Sequence, residues 1–127
     1  MKLLLDTHTF IWFIEGSERL SPGALIEIQS KENERFVSSV SLWEIAIKYS
    51  LDKLEVKKSF DEILQLIIDN DIRIVSIETR HLKALLELEH HHKDPFDRLL
   101  IAQAFVENMA VLSIDRYFKY YPVNVIW

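Results

Sequence analysis

Cysteine is missing from this 127-residue chain, and glycine (2) and proline (3) are scarce. Without cysteine there is no disulfide, no thiolate metal site and no cysteine nucleophile; nothing calls for an oxidising compartment, so the cytoplasm is the expected location. So few glycines and prolines argue for short connections and against a flexible linker, and no repeat or low-complexity tract is present. Also missing is any run approaching the roughly 18 apolar residues that a membrane span needs. Met1-Lys2-Leu3-Leu4-Leu5 begins as a secretory leader would, but Asp6, His8 and Glu15 interrupt it and no small-residue cleavage site follows. The expectation is one soluble domain over residues 1–127, with no membrane partner.

Positive charge is in deficit as well. Against 20 acids stand 15 Lys and Arg, for a net charge of −5. That argues against a broad, non-specific nucleic-acid binder, which carries a basic footprint. It does not argue against a metallonuclease. Acids that serve as metal ligands do not count against binding, because a bound cation supplies positive charge where phosphate must sit.

The residues that are present, 49% of them hydrophobic and 28% charged, suit a real core. Short apolar runs at 3–5, 36–37, 72–75, 110–112 and 125–126 read as strands. Helical patterns at about 8–15, 22–31, 42–50, 60–69, 80–89 and 95–108 separate them. Strands alternating with helices predict an α/β fold with crossover connections and a mostly parallel sheet. Ser21-Pro22 and Asp94-Pro95 mark helix starts, each a capping side chain followed by proline at the first helical position. The helix from Pro95 is apolar on nearly every side, which predicts burial and sends its first-turn polar residues toward its N-terminal end.

Four carboxylates fall beside strand ends or in early helical turns. Asp6 ends the first strand, Glu44 falls in the first turn of the third predicted helix, Asp97 opens the buried helix, and Asp115 follows the fourth strand after Ser113-Ile114. In an open parallel sheet these positions share one edge, where ligands bind. Four acids there repel one another unless a cation intervenes, and Mg²⁺ or Mn²⁺ suits carboxylate and water ligands. Each acid also has a plain structural reading. Asp6 and Asp115 fit helix caps, Ser41-x-x-Glu44 fits a capping box, and Asp97 sits at the positive end of a helix dipole.

The motifs themselves have a family look. Leu3-Leu4-Leu5-Asp6-Thr7-His8 followed by Trp12, Ser41-Leu42-Trp43-Glu44-Ile45-Ala46-Ile47-Lys48, and the long run from His91 through Asp94-Pro95-Phe96-Asp97-Arg98 to Ala104 resemble, in order, the motifs of VapC-type PIN-domain toxins. Leu112-Ser113-Ile114-Asp115, Phe118 and the ending Tyr121–Trp127 are similar to the close of that family. The resemblance implies a single PIN domain of three layers, with five parallel strands in order 3-2-1-4-5 flanked by helices. It implies a Mg²⁺- or Mn²⁺-dependent endoribonuclease, leaving 5′-phosphate and 3′-hydroxyl ends, that acts as the toxin of a type II toxin–antitoxin pair. It also implies a homodimer and a cognate antitoxin that blocks the active site. The family's acids carry over to Asp6, Glu44, Asp97 and Asp115 as the catalytic and metal-holding set, led by Asp6 and Asp97, with Glu44 and Asp115 as outer or shared ligands. Two positions depart from the family: Asp52 stands where glycine is frequent and Glu89 where proline is common, which touches turn geometry rather than chemistry.

Around that set, Thr7 and Ser113 are candidate hydroxyls for orienting the carboxylates, against local backbone bonding at strand ends. Arg98 is a candidate for RNA phosphate, with an ion pair to Asp94 or another acid as the better reading. Lys57 and Lys58, with Lys48 and Lys53, make the one basic concentration: either a solvated face or a landing surface for RNA. Three adjacent imidazoles, His90-His91-His92, do not point at one ion, and His8 reads as packing near the first helix. Trp12, Trp43 and Trp127 read as core, with the stretch Trp12-Phe13-Ile14 as an alternative dimer or antitoxin surface. The rival readings are a PIN-like module that binds RNA or protein without cutting, and a phospho-acceptor receiver domain. A receiver wants paired acids near the start and a late lysine, and Asp6 stands alone.

Overall fold

A computed structural model describes all residues, Met1–Trp127. Five parallel strands, β1 (Lys2–Leu5), β2 (Glu34–Ser38), β3 (Ile72–Val75), β4 (Ala110–Leu112) and β5 (Val125–Ile126), form one sheet in the order β3-β2-β1-β4-β5. The expected 3-2-1-4-5 sheet is therefore what the chain builds. Six helices complete it: α1 (Thr7–Glu15), α2 (Pro22–Gln29), α3 (Ser39–Ser50), α4 (Phe60–Asp69), α5 (Thr79–Glu87) and α6 (Pro95–Glu107). None of them is long and apolar enough to cross a membrane.

Strand periodicity explains the layers. Successive side chains on a strand point to opposite faces, so a strand buried on both sides reads as an unbroken apolar run. Leu3 and Leu5 of β1 face one core with Phe10, Ala24, Ile28, Ile45, Ile63 and Ile67 from α1 to α4. Leu4 faces the other, with Leu100, Ile101 and Ala104 of α6, Val111 of β4 and Phe118. All three leucines are fully buried, each contributing roughly 1.5–3 kcal/mol of apolar burial.

The helix ends follow local chemistry. Ser21 caps α2 ahead of Pro22, Ser59 and Glu62 form a capping box on α4, and α1 stops at Gly16, in the left-handed region at φ 63. A Cβ there would be strained, which is why glycine ends this helix. Asp52 also has φ 53, which gives the physical reason why glycine serves well at that turn; aspartate is among the few side chains that tolerate it. The start of α3 corrects the sequence reading. Its cap is Ser38, whose hydroxyl accepts from the Val40 N–H, so Ser41 and Glu44 are no capping box and Glu44 lies in the second turn. The cap was missed because Ser38, Ser39 and Ser41 all offer the same hydroxyl.

Helix α6 is buried from Arg98 to Ala104, but Phe105 emerges 52% exposed near its end. Trp43 is 57% exposed, so it is not a core residue; it stacks edge-on against Phe96 at 5.2 Å. Trp12 and Trp127 do pack against the core, edge to face at 5.9 Å, and Phe13 and Ile14 are half-buried with them.

Candidate active site

The strand order reverses between β1 and β4, and the carboxyl ends of the strands at such a point are where open parallel sheets bind ligands. Asp6 leaves β1 there, with its backbone N–H on the Leu112 carbonyl of β4 at 3.2 Å. Its side chain caps α1, accepting from the Thr9 N–H at 2.8 Å, while the Thr9 hydroxyl donates to the same Leu112 carbonyl at 2.9 Å. Asp6 is thus both cap and site residue. Burial pushes its carboxyl above the ordinary value, against the opposing bonds from Ser113 and Thr9. The Ser113 hydroxyl accepts from the Asp115 N–H at 3.0 Å and lies beside Asp6.

Glu44 enters from α3. Its Oε1 lies 3.0 Å from the Thr7 hydroxyl, which is 2.9 Å from that of Ser41. One hydroxyl carries one proton, so Thr7 donates to the carboxylate and accepts from Ser41. The other oxygen of Glu44 meets Lys48 at 3.2 Å, one turn along the helix. Asp115 accepts from the Tyr117 N–H at 2.9 Å and so shapes the turn after β4.

Asp97 is the focus of the arrangement. Asp94 caps α6, accepting from the N–H groups of Phe96 and Asp97, and so fixes the first turn on which Asp97 sits. Its pKa is pushed up to about 8, first by burial and then by the charges of Asp94, Asp115, Asp6 and Glu44. All the other three acids are therefore close enough to act on it. No three of the four offer oxygens within 4.8 Å of one another. The donor set fits a hard divalent ion. It is all carboxylate, and Mg²⁺ uses one or two carboxylates and keeps several waters, so it does not need a closed cage.

The remaining candidates are placed differently. Arg98 is 6% exposed, with its guanidinium on the carbonyls of Glu89 (2.8 Å) and Leu88 (3.4 Å) and on the Tyr121 hydroxyl (3.2 Å). It pairs with no acid, so the ion pair read from sequence is not formed; the guanidinium is held instead by two backbone carbonyls and a tyrosine. Lys57 and Lys58 lie in the loop between α3 and α4, and neither is bonded to the four acids. His8 is exposed, its ring 5.9 Å from that of Trp12. Sequence reasoning passed over Thr9, whose only signal was the Asp6-x-x-Thr9 cap spacing, read Ser41 as a helix cap, and set His92 aside with its neighbours. His92 lies with Nε2 3.5 Å from Asp97 Oδ2.

A second group of possible metal ligands lies between α5 and α6: Glu78, His81 and Glu107, whose ligand atoms fall within 4.8 Å of one another. Arg80 already occupies it, bonded to Glu78 at 2.6 Å and to Glu107. His81, fully buried, accepts the Glu78 N–H on Nδ1 and gives Nε2 to Glu107. This is a latch between helices in which Arg80 already bonds both carboxylates.

A profile of the PIN domain family matches residues 3–124. The chain belongs to the PIN domain family. No curated protein matches the sequence. Among solved structures, the fold is similar to a chain of VapBC2 from Rickettsia felis bound to a DNA fragment from their promoter, with TM-score 0.74 and 19% identity over 99% of this chain and 98% of that one. A chain of DNA-bound VapBC from Salmonella typhimurium gives 0.71 and 17% over 99% and 97%. A chain of a toxin-antitoxin complex from Klebsiella pneumoniae gives 0.66 and 15% over 98% and 96%.

Proposed function

We propose that this PIN domain is a Mg²⁺- or Mn²⁺-dependent endoribonuclease, the toxin of a type II toxin–antitoxin pair. The observation that carries the reading is the crowding around Asp97, whose pKa is pushed up to about 8 by burial and by the charges of four neighbouring acids. Such a site binds a cation gladly and holds little else. Asp6 and Asp97 hold the ion, with Glu44 and Asp115 as outer or shared ligands. A divalent ion in that position lowers the pKa of water and neutralises charge that develops on a phosphodiester. The chain's own contribution is orientation: Thr7 sets Glu44, Ser113 holds the turn that carries Asp115, and Asp94 caps the helix that carries Asp97. The toxin role and a separate antitoxin partner are supported by the likeness to chains of VapBC and toxin-antitoxin complexes; a homodimer and a cytoplasmic location are what the family resemblance implies.

The test is cleavage of total RNA with Mg²⁺ or EDTA, followed by mapping of the new ends. Asp6→Asn and Asp97→Asn should each cut cleavage by more than the roughly 10–100-fold that losing a ligand's outer partner costs, and EDTA should abolish it. Unchanged rates in both variants would remove the assignment.

A further inference from the structure

The loop before α6 brings a histidine against Asp97, and the hydrogen bonds behind it fix which ring nitrogen carries the proton. The Tyr121 hydroxyl oxygen receives two donors that cannot reverse: the Arg98 guanidinium at 3.2 Å and the His91 backbone N–H at 3.2 Å. A guanidinium and a backbone amide only donate, so the oxygen accepts from both. The phenolic proton then has one remaining partner, His92 Nδ1 at 2.8 Å. Nδ1 therefore accepts. In a neutral imidazole one nitrogen accepts and the other donates, so the proton of His92 sits on Nε2.

That nitrogen is buried and has no hydrogen-bond partner. It points at Asp97 Oδ2 across 3.5 Å, a gap that closes to an ordinary hydrogen bond with a movement of roughly 0.5 Å. The ring has little freedom to point elsewhere. It is stacked on Tyr117 at 5.3 Å and 15°, set edge-on to Tyr121 at 5.5 Å, and 8% exposed. Arg98 secures the base of the loop through the carbonyls of Leu88 and Glu89. A buried donor with one acceptor in reach is a feature that folding alone does not require, since an unpaired buried polar group is destabilising.

We propose that His92 is a positioning residue for Asp97. Arg98 and Tyr121 hold it in the Nε2–H tautomer, and its donated hydrogen bond fixes one Asp97 oxygen so that the other faces the cation. The inference rests on the reading of Asp97 as a metal ligand. It also gives Arg98 and the third histidine of the run a role that neither phosphate binding nor metal ligation supplies.

Two measurements on the full chain test it. Nitrogen-15 NMR of the histidine rings in the ion-free wild type should find His92 protonated on Nε2; protonation on Nδ1 would overturn the proposal. Mn²⁺ titration followed by EPR should then show His92→Asn, whose short amide does not reach Asp97, weakened by about 10-fold or more. His92→Gln, whose amide nitrogen can take the place of Nε2, should stay within about 3-fold of wild type. Wild-type Mn²⁺ affinity in His92→Asn would overturn the positioning role alone. A wild-type protein that binds no Mn²⁺ would overturn the metal reading and this inference with it.

Discussion

Between α5 and α6, Glu78 and Glu107 close around Arg80 and the buried His81; at the sheet edge, Asp6, Glu44, Asp97 and Asp115 face one another with Lys48, on Glu44, as the one cation bonded to the set. Burial pushes the Glu107 carboxyl up, but bonds from His81 and Arg80 outweigh it and hold the group below its ordinary value. Asp97 goes the other way, up to about 8, because burial and its neighbours act in the same direction. Geometry alone would choose the latch, the tighter of the two. The direction of the shift separates them. A carboxylate held down by its neighbours is already paired, whereas one held up by them lacks the counter-charge that the proposed cation would supply.

The largest effect on the latch side should come from His81→Ala, which removes a fully buried ring and leaves Glu107 and the Glu78 N–H without their partner. Urea unfolding should show a loss of about 2–4 kcal/mol with Mn²⁺ affinity unchanged. A weaker metal affinity at equal folding would erase the distinction between the two clusters.

A smaller effect of opposite sign is expected at the sheet edge. The Asp97 pKa is raised from 3.8 to about 8 in the ion-free fold. Below both values the folded and unfolded chains hold the same proton and nothing is lost. As pH rises past 3.8 the unfolded chain releases its proton while the fold retains it, so stability falls until about pH 8 and then levels. Asp97→Asn removes this slope. Above pH 8 the ion-free variant should be more stable than wild type by about 1 kcal/mol, well short of the full shift because the side chain is partly solvated and screened. Near pH 4 the two should match. A wild-type protein whose stability rises between pH 4 and 8 relative to the variant would contradict the crowding.

Much of this was legible in the residues. Period-2 burial of Leu3, Leu4 and Leu5 and the Ser21-Pro22 and Asp94-Pro95 caps are local signals, and they place β1, α2 and α6 correctly. Asp6, Glu44, Asp97 and Asp115 could be named because strand ends and helix starts share an edge in this topology. What failed was long-range or degenerate. Three serines compete to cap α3, so Glu44 was put a turn too early. Arg98 was expected to seek an acid nearby, yet its partners are carbonyls 9 and 10 residues back and a tyrosine 23 residues on. Trp43 looked like core by composition, but α3 turns it outward. His92 could not be told from His91, since what distinguishes it is its ring's placement between Asp97 and Tyr121, which arrives from the end of the chain.

Calorimetric titration of Mn²⁺ into the wild type, Asp97→Asn and Glu107→Gln puts the central claim to the most direct test. We expect the wild type and Glu107→Gln to bind with equal affinity and Asp97→Asn to bind about 100-fold more weakly or not at all. Equal binding by Asp97→Asn, with the loss falling on Glu107→Gln, would place the cation between α5 and α6 and contradict the account.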